Sequence, residues 1–139
     1  MYLDDIAVGQ FATLEREVTQ DVIDNFAAAS GDHNPVHVDP AFAAGTMFKG
    51  TIAHGMLSAA YISAVLGTQL PGPGAVYTGQ SLKFRAPVRP GDKVVTVCTV
   101  KEVIRDKKRV IMETRCKVGD TVVLEGEATL MVQPRPDSA

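Results

Sequence analysis

The sequence predicts an α+β fold in which a curved antiparallel sheet wraps one buried central helix, and three observations predict it. Residues 54–67, HGMLSAAYISAVLG, are apolar on nearly every side and closed by a glycine, the pattern of a helix surrounded by protein. From Leu82 to Val132 apolar and polar residues alternate through several runs at the period of a strand. Between the runs stand Arg89-Pro90-Gly91-Asp92 and Gly119-Asp120, turn chemistry suited to antiparallel neighbours.

Thr19 reads as the N-cap of a helix that places Val22, Ile23, Phe26 and Ala29 on one face and ends at Gly31. Pro35 then prevents a continuous helix, so His33 and His37, although four apart, do not share a helical face. Asp39-Pro40 has the form of an N-cap and first-turn proline, opening a short helix through Phe42 and Ala43. The apolar helix that follows spans only about 20 Å, too short to cross a bilayer, so the rest of the chain must cover it. Covering strands are predicted where Leu82, Phe84, Ala86 and Val88 alternate with Ser81, Lys83, Arg85 and Pro87. Further strands are predicted over Val94–Val103, Val110–Val118 and Val122–Val132. The closing PRPDSA reads as a frayed tail.

With 139 residues, 45% of them hydrophobic, the chain fits a single domain over residues 1–139 with a substantial core. Fourteen basic against sixteen acidic side chains give a net charge of -2, which provides no electrostatic footprint for nucleic acid or an anionic membrane. The opening MYLDDIAVGQ carries no basic, long apolar signal pattern, and the ending is not SKL, so a cytoplasmic location is expected. Cys98 and Cys116 lack CxxC spacing and read as core thiols on strands.

Polar chemistry concentrates in residues 30–40, SGDHNPVHVDP. A metal site built from Asp32, His33, His37 and Asp39 matches no zinc spacing, so no metal is expected. A loop without chemistry and a catalytic pair are the remaining readings.

Together with IAHGML and GQSLKFRAPVRPGD, in this order, SGDHNPVH resembles the signature of the hot-dog-fold MaoC-like hydratases, particularly the (R)-specific enoyl-CoA hydratases that feed bacterial polyhydroxyalkanoate synthesis. The likeness covers nearly the whole chain. The family pattern of a small residue, Gly, Asp, any residue, Asn, Pro, an aliphatic and His is supplied by Ser30 through His37. Ala29 departs from the larger aliphatic or glycine usual there, a difference expected to affect packing.

The resemblance implies (R)-specific hydration of trans-2-enoyl-CoA to (R)-3-hydroxyacyl-CoA, with Asp32 and His37 as the catalytic pair. Adding water to an enoyl thioester requires a base for the water proton, a proton for the α-carbon, and positive potential at the carbonyl oxygen. By the same resemblance Asp32 takes the water proton and His37 holds that water, while the Gly55 N–H at a helix start polarises the thioester. Asn34 shapes the bend and belongs with the substrate-binding set of Ser63, Leu66, Lys83 and Arg85. Ser63 and Leu66 are marked as the pocket floor, and Lys83, Arg85 and Arg89 lie near the path of CoA phosphates. His33 falls at a variable position; for His54, packing at the helix terminus is favoured over catalysis. No cofactor is implied, because the thioester itself acidifies the α-carbon, and a homodimer with sites near the subunit boundary is expected.

Alternatives are a dehydratase acting on acyl-carrier-protein thioesters, which would use the same residues, and a non-catalytic acyl-CoA-binding module. A thioesterase with its carboxylate on the central helix fits less well, since residues 54–67 contain no Asp or Glu.

Overall fold

The structure is a computed structural model that describes residues 1–137. In chain order the elements are β1 (Phe11–Val18), α1 (Gln20–Ser30), α2 (Pro35–Val38), α3 (Pro40–Ala44), α4 (Gly55–Thr68), β2 (Val76–Gln80), β3 (Lys83–Phe84), β4 (Asp92–Ile104), β5 (Arg109–Val118) and β6 (Thr121–Met131). The strands form one antiparallel sheet in the order β1-β4-β5-β6-β2, with β3 also paired to β6. This is the predicted α+β hot-dog arrangement: α4 lies against the sheet, chiefly on β4.

Alternation along the long strands sorts side chains between core and surface. Val94, Cys98 and Val100 of β4 and Val110, Met112 and Cys116 of β5 are fully buried, facing Ile62, Val65 and Leu66 of α4. Each large aliphatic buried this way contributes about 1.5–3 kcal/mol. Two polar residues share the inner face and both are satisfied: the Thr114 hydroxyl donates to Gly126 O at 3.0 Å, and the Thr96 hydroxyl lies 3.3 Å from Cys116 Sγ. Burial pushes the Cys98 thiol up to about 12 and also raises Cys116, so both are the unreactive core thiols that the sequence predicts.

Capping follows the sequence closely. Thr19 Oγ1 accepts the Val22 N–H, Gly31 closes α1 at φ 82°, and Asp39 Oδ1 accepts the N–H groups of Ala41 and Phe42 at the start of α3. The core face of α1, however, carries Ala27 where Ala29 was expected; Ala29 is exposed.

Three further expectations need correction. The sheet covers only one side of α4, and Met56, Ala60, Ser63 and Gly67 form an exposed strip on the other. The predicted strand from Leu82 to Val88 is only two residues long: Pro87 has no N–H for a ladder, and Val88 O turns away to accept the Ala53 N–H at 2.7 Å. Phe84 is therefore 55% exposed instead of joining the core. The tail is tethered, with Arg135 bonding Asp4 and Asp5, while residues 138 and 139 lie outside the described residues. The edge strands β1 and β2 were not predicted.

Candidate active site

Where α1 stops, three short polar side chains bend the chain by bonding their own backbone. Ser30 Oγ accepts the Asp32 N–H, Asp32 Oδ1 accepts the Asn34 N–H, and Asn34 Oδ1 accepts the Val36 N–H, at 3.1, 3.2 and 3.2 Å. Pro35, fixed near the helical φ, then starts the single turn of α2, which carries His37. The loop holds Asp32 exposed, with carboxylate lone pairs beyond the one taken by Asn34.

His37 is half-buried and held at both its ring and its backbone. Its Nδ1 donates to Ile52 O at 2.8 Å; since a carbonyl only accepts, Nδ1 carries a proton, and in the neutral ring Nε2 offers a lone pair. The His37 carbonyl accepts the Gln20 side-chain N–H at 2.9 Å, and Gln20 Oε1 accepts the Thr51 hydroxyl at 2.8 Å. One glutamine thereby ties α1, α2 and the approach to α4 together. Nothing in the sequence distinguishes Gln20 from an ordinary first-turn residue.

His54 is buried directly behind the pair. Its Nε2 donates to the Asp32 carbonyl at 2.9 Å, and its ring stacks on that of His37 with centroids 3.9 Å apart and 29° between planes. One ligating atom from each of Asp32, His37 and His54 lies within 4.8 Å of the others. These are metal-ligand residue types, but one nitrogen of each ring is already committed to a carbonyl, Nδ1 of His37 to Ile52 O and Nε2 of His54 to Asp32 O. His33, by contrast, is exposed.

Beside His37 opens a cavity of about 500 Å³, walled by groups that include Ile52, Ser58, Phe84 and Leu124. Gly55 stands on its wall as the first residue of α4, where a backbone N–H has no acceptor within the helix. The Phe84 ring packs over this glycine: a Cβ there would lie 2.5 Å from Cε1 and displace the ring. Ser58, one turn further along α4, is a buried polar wall residue that sequence reasoning missed.

The structure gathers only some of the residues singled out in the sequence. His37, Gly55 and Arg85 line the cavity, and Asp32 adjoins His37; Asn34, Ser63, Leu66 and Lys83 are not among the lining residues. Ser63 is on the exposed strip of α4 and Leu66 is in the core. Arg85 is committed to Glu125 at 2.8 Å and holds that carboxyl below its ordinary range. Lys83 lines a separate polar hollow with Glu113, Arg115 and Glu127. The Arg89 N–H donates to Asp92 in the turn before β4.

A relative from Rhodospirillum rubrum named (R)-specific enoyl-CoA hydratase is 54% identical over 134 residues, covering 96% of this chain and 93% of the relative. One from Methylorubrum extorquens, named 3-hydroxybutyryl-CoA dehydratase, is 48% identical over 139 residues, covering 100% of this chain and 88% of the relative. Among solved structures, the (R)-hydratase from Aeromonas caviae involved in PHA biosynthesis superposes with a TM-score of 0.89 at 43% identity, covering 92% of this chain and 98% of that one. The family model described as MaoC like domain matches residues 7–123, a span that takes in the Asp32 loop, the His37 turn and the whole of α4. The chain belongs to the MaoC-like domain family.

Proposed function

We propose that this protein, acting as a single hot-dog unit over residues 1–139, adds water to trans-2-enoyl-CoA to give (R)-3-hydroxyacyl-CoA. The observation that carries this reading is the meeting of Asp32 and His37 beside a largely apolar cavity with the unbonded N–H of Gly55 on its wall. The names of the relatives from Rhodospirillum rubrum and Aeromonas caviae support the reaction and its hand, and that of the Methylorubrum extorquens relative supports the CoA carrier.

Two acceptors face the reacting water in this reading, the Asp32 carboxylate and the bare Nε2 of His37. A water donating one hydrogen to each turns an oxygen lone pair toward the β-carbon. As the new C–O bond forms, Asp32 takes one water proton and the π electrons of the double bond move onto the thioester oxygen. There the Gly55 N–H meets the developing charge; one such donor is worth about 3–4 kcal/mol in comparable sites. The proton held by Asp32 then passes to the α-carbon, with His37 helping its transfer, as the enolate electrons return from the thioester oxygen; Asp32 is left as the carboxylate it was, and no redox partner is needed.

The use we propose for the product is polyhydroxyalkanoate synthesis in the cytoplasm. We also propose a homodimer, supported by the exposed α4 strip and by the edge strand β2, on which Val76 and Tyr77 are exposed. Sedimentation at micromolar concentration is expected to give twice the 14.8 kDa chain mass; a single-chain mass would contradict it.

Crotonyl-CoA supplied to the purified protein should lose its enoyl-thioester absorbance, with (R)-3-hydroxybutyryl-CoA as the product on chiral analysis. An (S) or racemic product would overturn the stereochemical assignment. Turnover of the acyl-carrier-protein thioester alone would transfer the reading to that carrier, and tight binding without turnover would reduce it to a binding module.

A further inference from the structure

His54 occupies the N-cap position of α4, yet its side chain makes no capping hydrogen bond to that helix. It points back instead. Its Nε2–H reaches the Asp32 carbonyl at 2.9 Å, while one face of the ring lies on His37. The residue is 3% exposed, its ring tilts against Phe26, and its Nδ1 is buried with no hydrogen-bond partner among the described residues.

A residue placed here only to fill space would not need that nitrogen. Phenylalanine offers a similar face and volume without burying an unpaired acceptor, which works against stability. The histidine therefore opposes stability at Nδ1 and supplies a donor at Nε2, directed to the backbone carbonyl of Asp32 itself. Meanwhile the Ile52 carbonyl fixes His37 from its edge and His54 fixes it from its face, leaving the imidazole little freedom to rotate. His54 also immediately precedes Gly55 in the chain, so one dipeptide sets the spacing from the helix-start N–H to both Asp32 and His37.

We propose that His54 is a positioning residue, a clamp that holds Asp32 and His37 in register with the Gly55 N–H. The proposal rests on the reading of Asp32 and His37 as the reacting pair. It adds a buried residue of the cavity wall that acts through both members of the dyad.

Two substitutions separate the parts of the clamp. His54→Phe keeps the stacking face and removes the donor; it is expected to fold with an unchanged or higher Tm and to lose about 10–100-fold in kcat on crotonyl-CoA with KM little changed. His54→Gln keeps a side-chain N–H of similar reach and removes the face. In imidazole ¹⁵N–¹H spectra it is expected to turn the single Nδ1–H tautomer of His37 into a mixture. A kcat within threefold of the original in His54→Phe removes the Asp32 half of the proposal, and an unchanged His37 spectrum in His54→Gln removes the His37 half. Both together overturn it. Because the spectrum needs no turnover, it still decides the His37 half if the unsubstituted protein hydrates no enoyl thioester, an outcome that would defeat the functional reading instead.

Discussion

Asp32→Asn is expected to lower the rate of crotonyl-CoA hydration by roughly 10²–10⁴-fold while leaving the fold and CoA-ester binding in place. The substitution is nearly isosteric, and the one structural bond of the carboxylate survives it, because an amide oxygen can still accept the Asn34 N–H. Asp32 is also exposed, so no buried charge is left unpaired by the change. What is lost is a group able to take a proton from water. Steady-state kinetics beside calorimetric binding of a CoA ester checks this, and a variant that binds the ester and turns over within tenfold of the original contradicts the assignment of the base.

The largest effect on stability is expected at Gly126. This β6 residue lies under the backbone of Ser81: a Cβ would stand 1.8 Å from Ser81 O and 2.7 Å from its carbonyl carbon. Ser81 cannot easily retreat, since its N–H donates to Glu127 O and its Oγ accepts the Glu127 N–H, both at 2.9 Å. Gly126→Ala therefore forces the two chain segments apart and breaks those bonds, costing about 3 kcal/mol or more. Thermal unfolding should shift down by roughly 10 °C. The same displacement moves Phe84 and Arg85, three and four residues beyond Ser81, and with them one wall of the cavity. A variant as stable as the original would show that the approach at Gly126 is looser than the geometry requires.

The long strands and the caps were legible because each rests on a local rule. Strict alternation from Val110 to Cys116 reports one buried face, and Thr19, Gly31 and Asp39 have cap chemistry that depends on few neighbours. The edges were not. In β1 the residues are mostly exposed, with Phe11 facing solvent and only Val18 fully buried, so its pattern lacks contrast. In β2 a register shift between Tyr77 and Gly79 interrupts the period over five residues. Phe84 was placed in the core by its alternation with Lys83 and Arg85, but a tertiary contact over Gly55 decides its position.

Site chemistry divides along the same line. Asp32, Asn34 and Pro35 shape a turn through bonds spanning two residues, and the motif carries that turn on its surface. Gln20 reaches His37 across 17 residues and His54 reaches Asp32 across 22, contacts that only the folded chain makes visible. Ser63 and Leu66 point to the complementary limit. The family resemblance marks them as a pocket floor, whereas the packing of α4 on the sheet exposes one and buries the other in the core.

The central claim is that an enoyl thioester reacts between Asp32, His37 and Gly55, and the most direct measurement is a crystal structure of Asp32→Asn with crotonyl-CoA bound. The account predicts a thioester oxygen about 2.7–3.1 Å from the Gly55 nitrogen, with the β-carbon facing the side chains of residues 32 and 37. An acyl group bound with its thioester oxygen away from Gly55, or its double bond out of reach of His37, would contradict it.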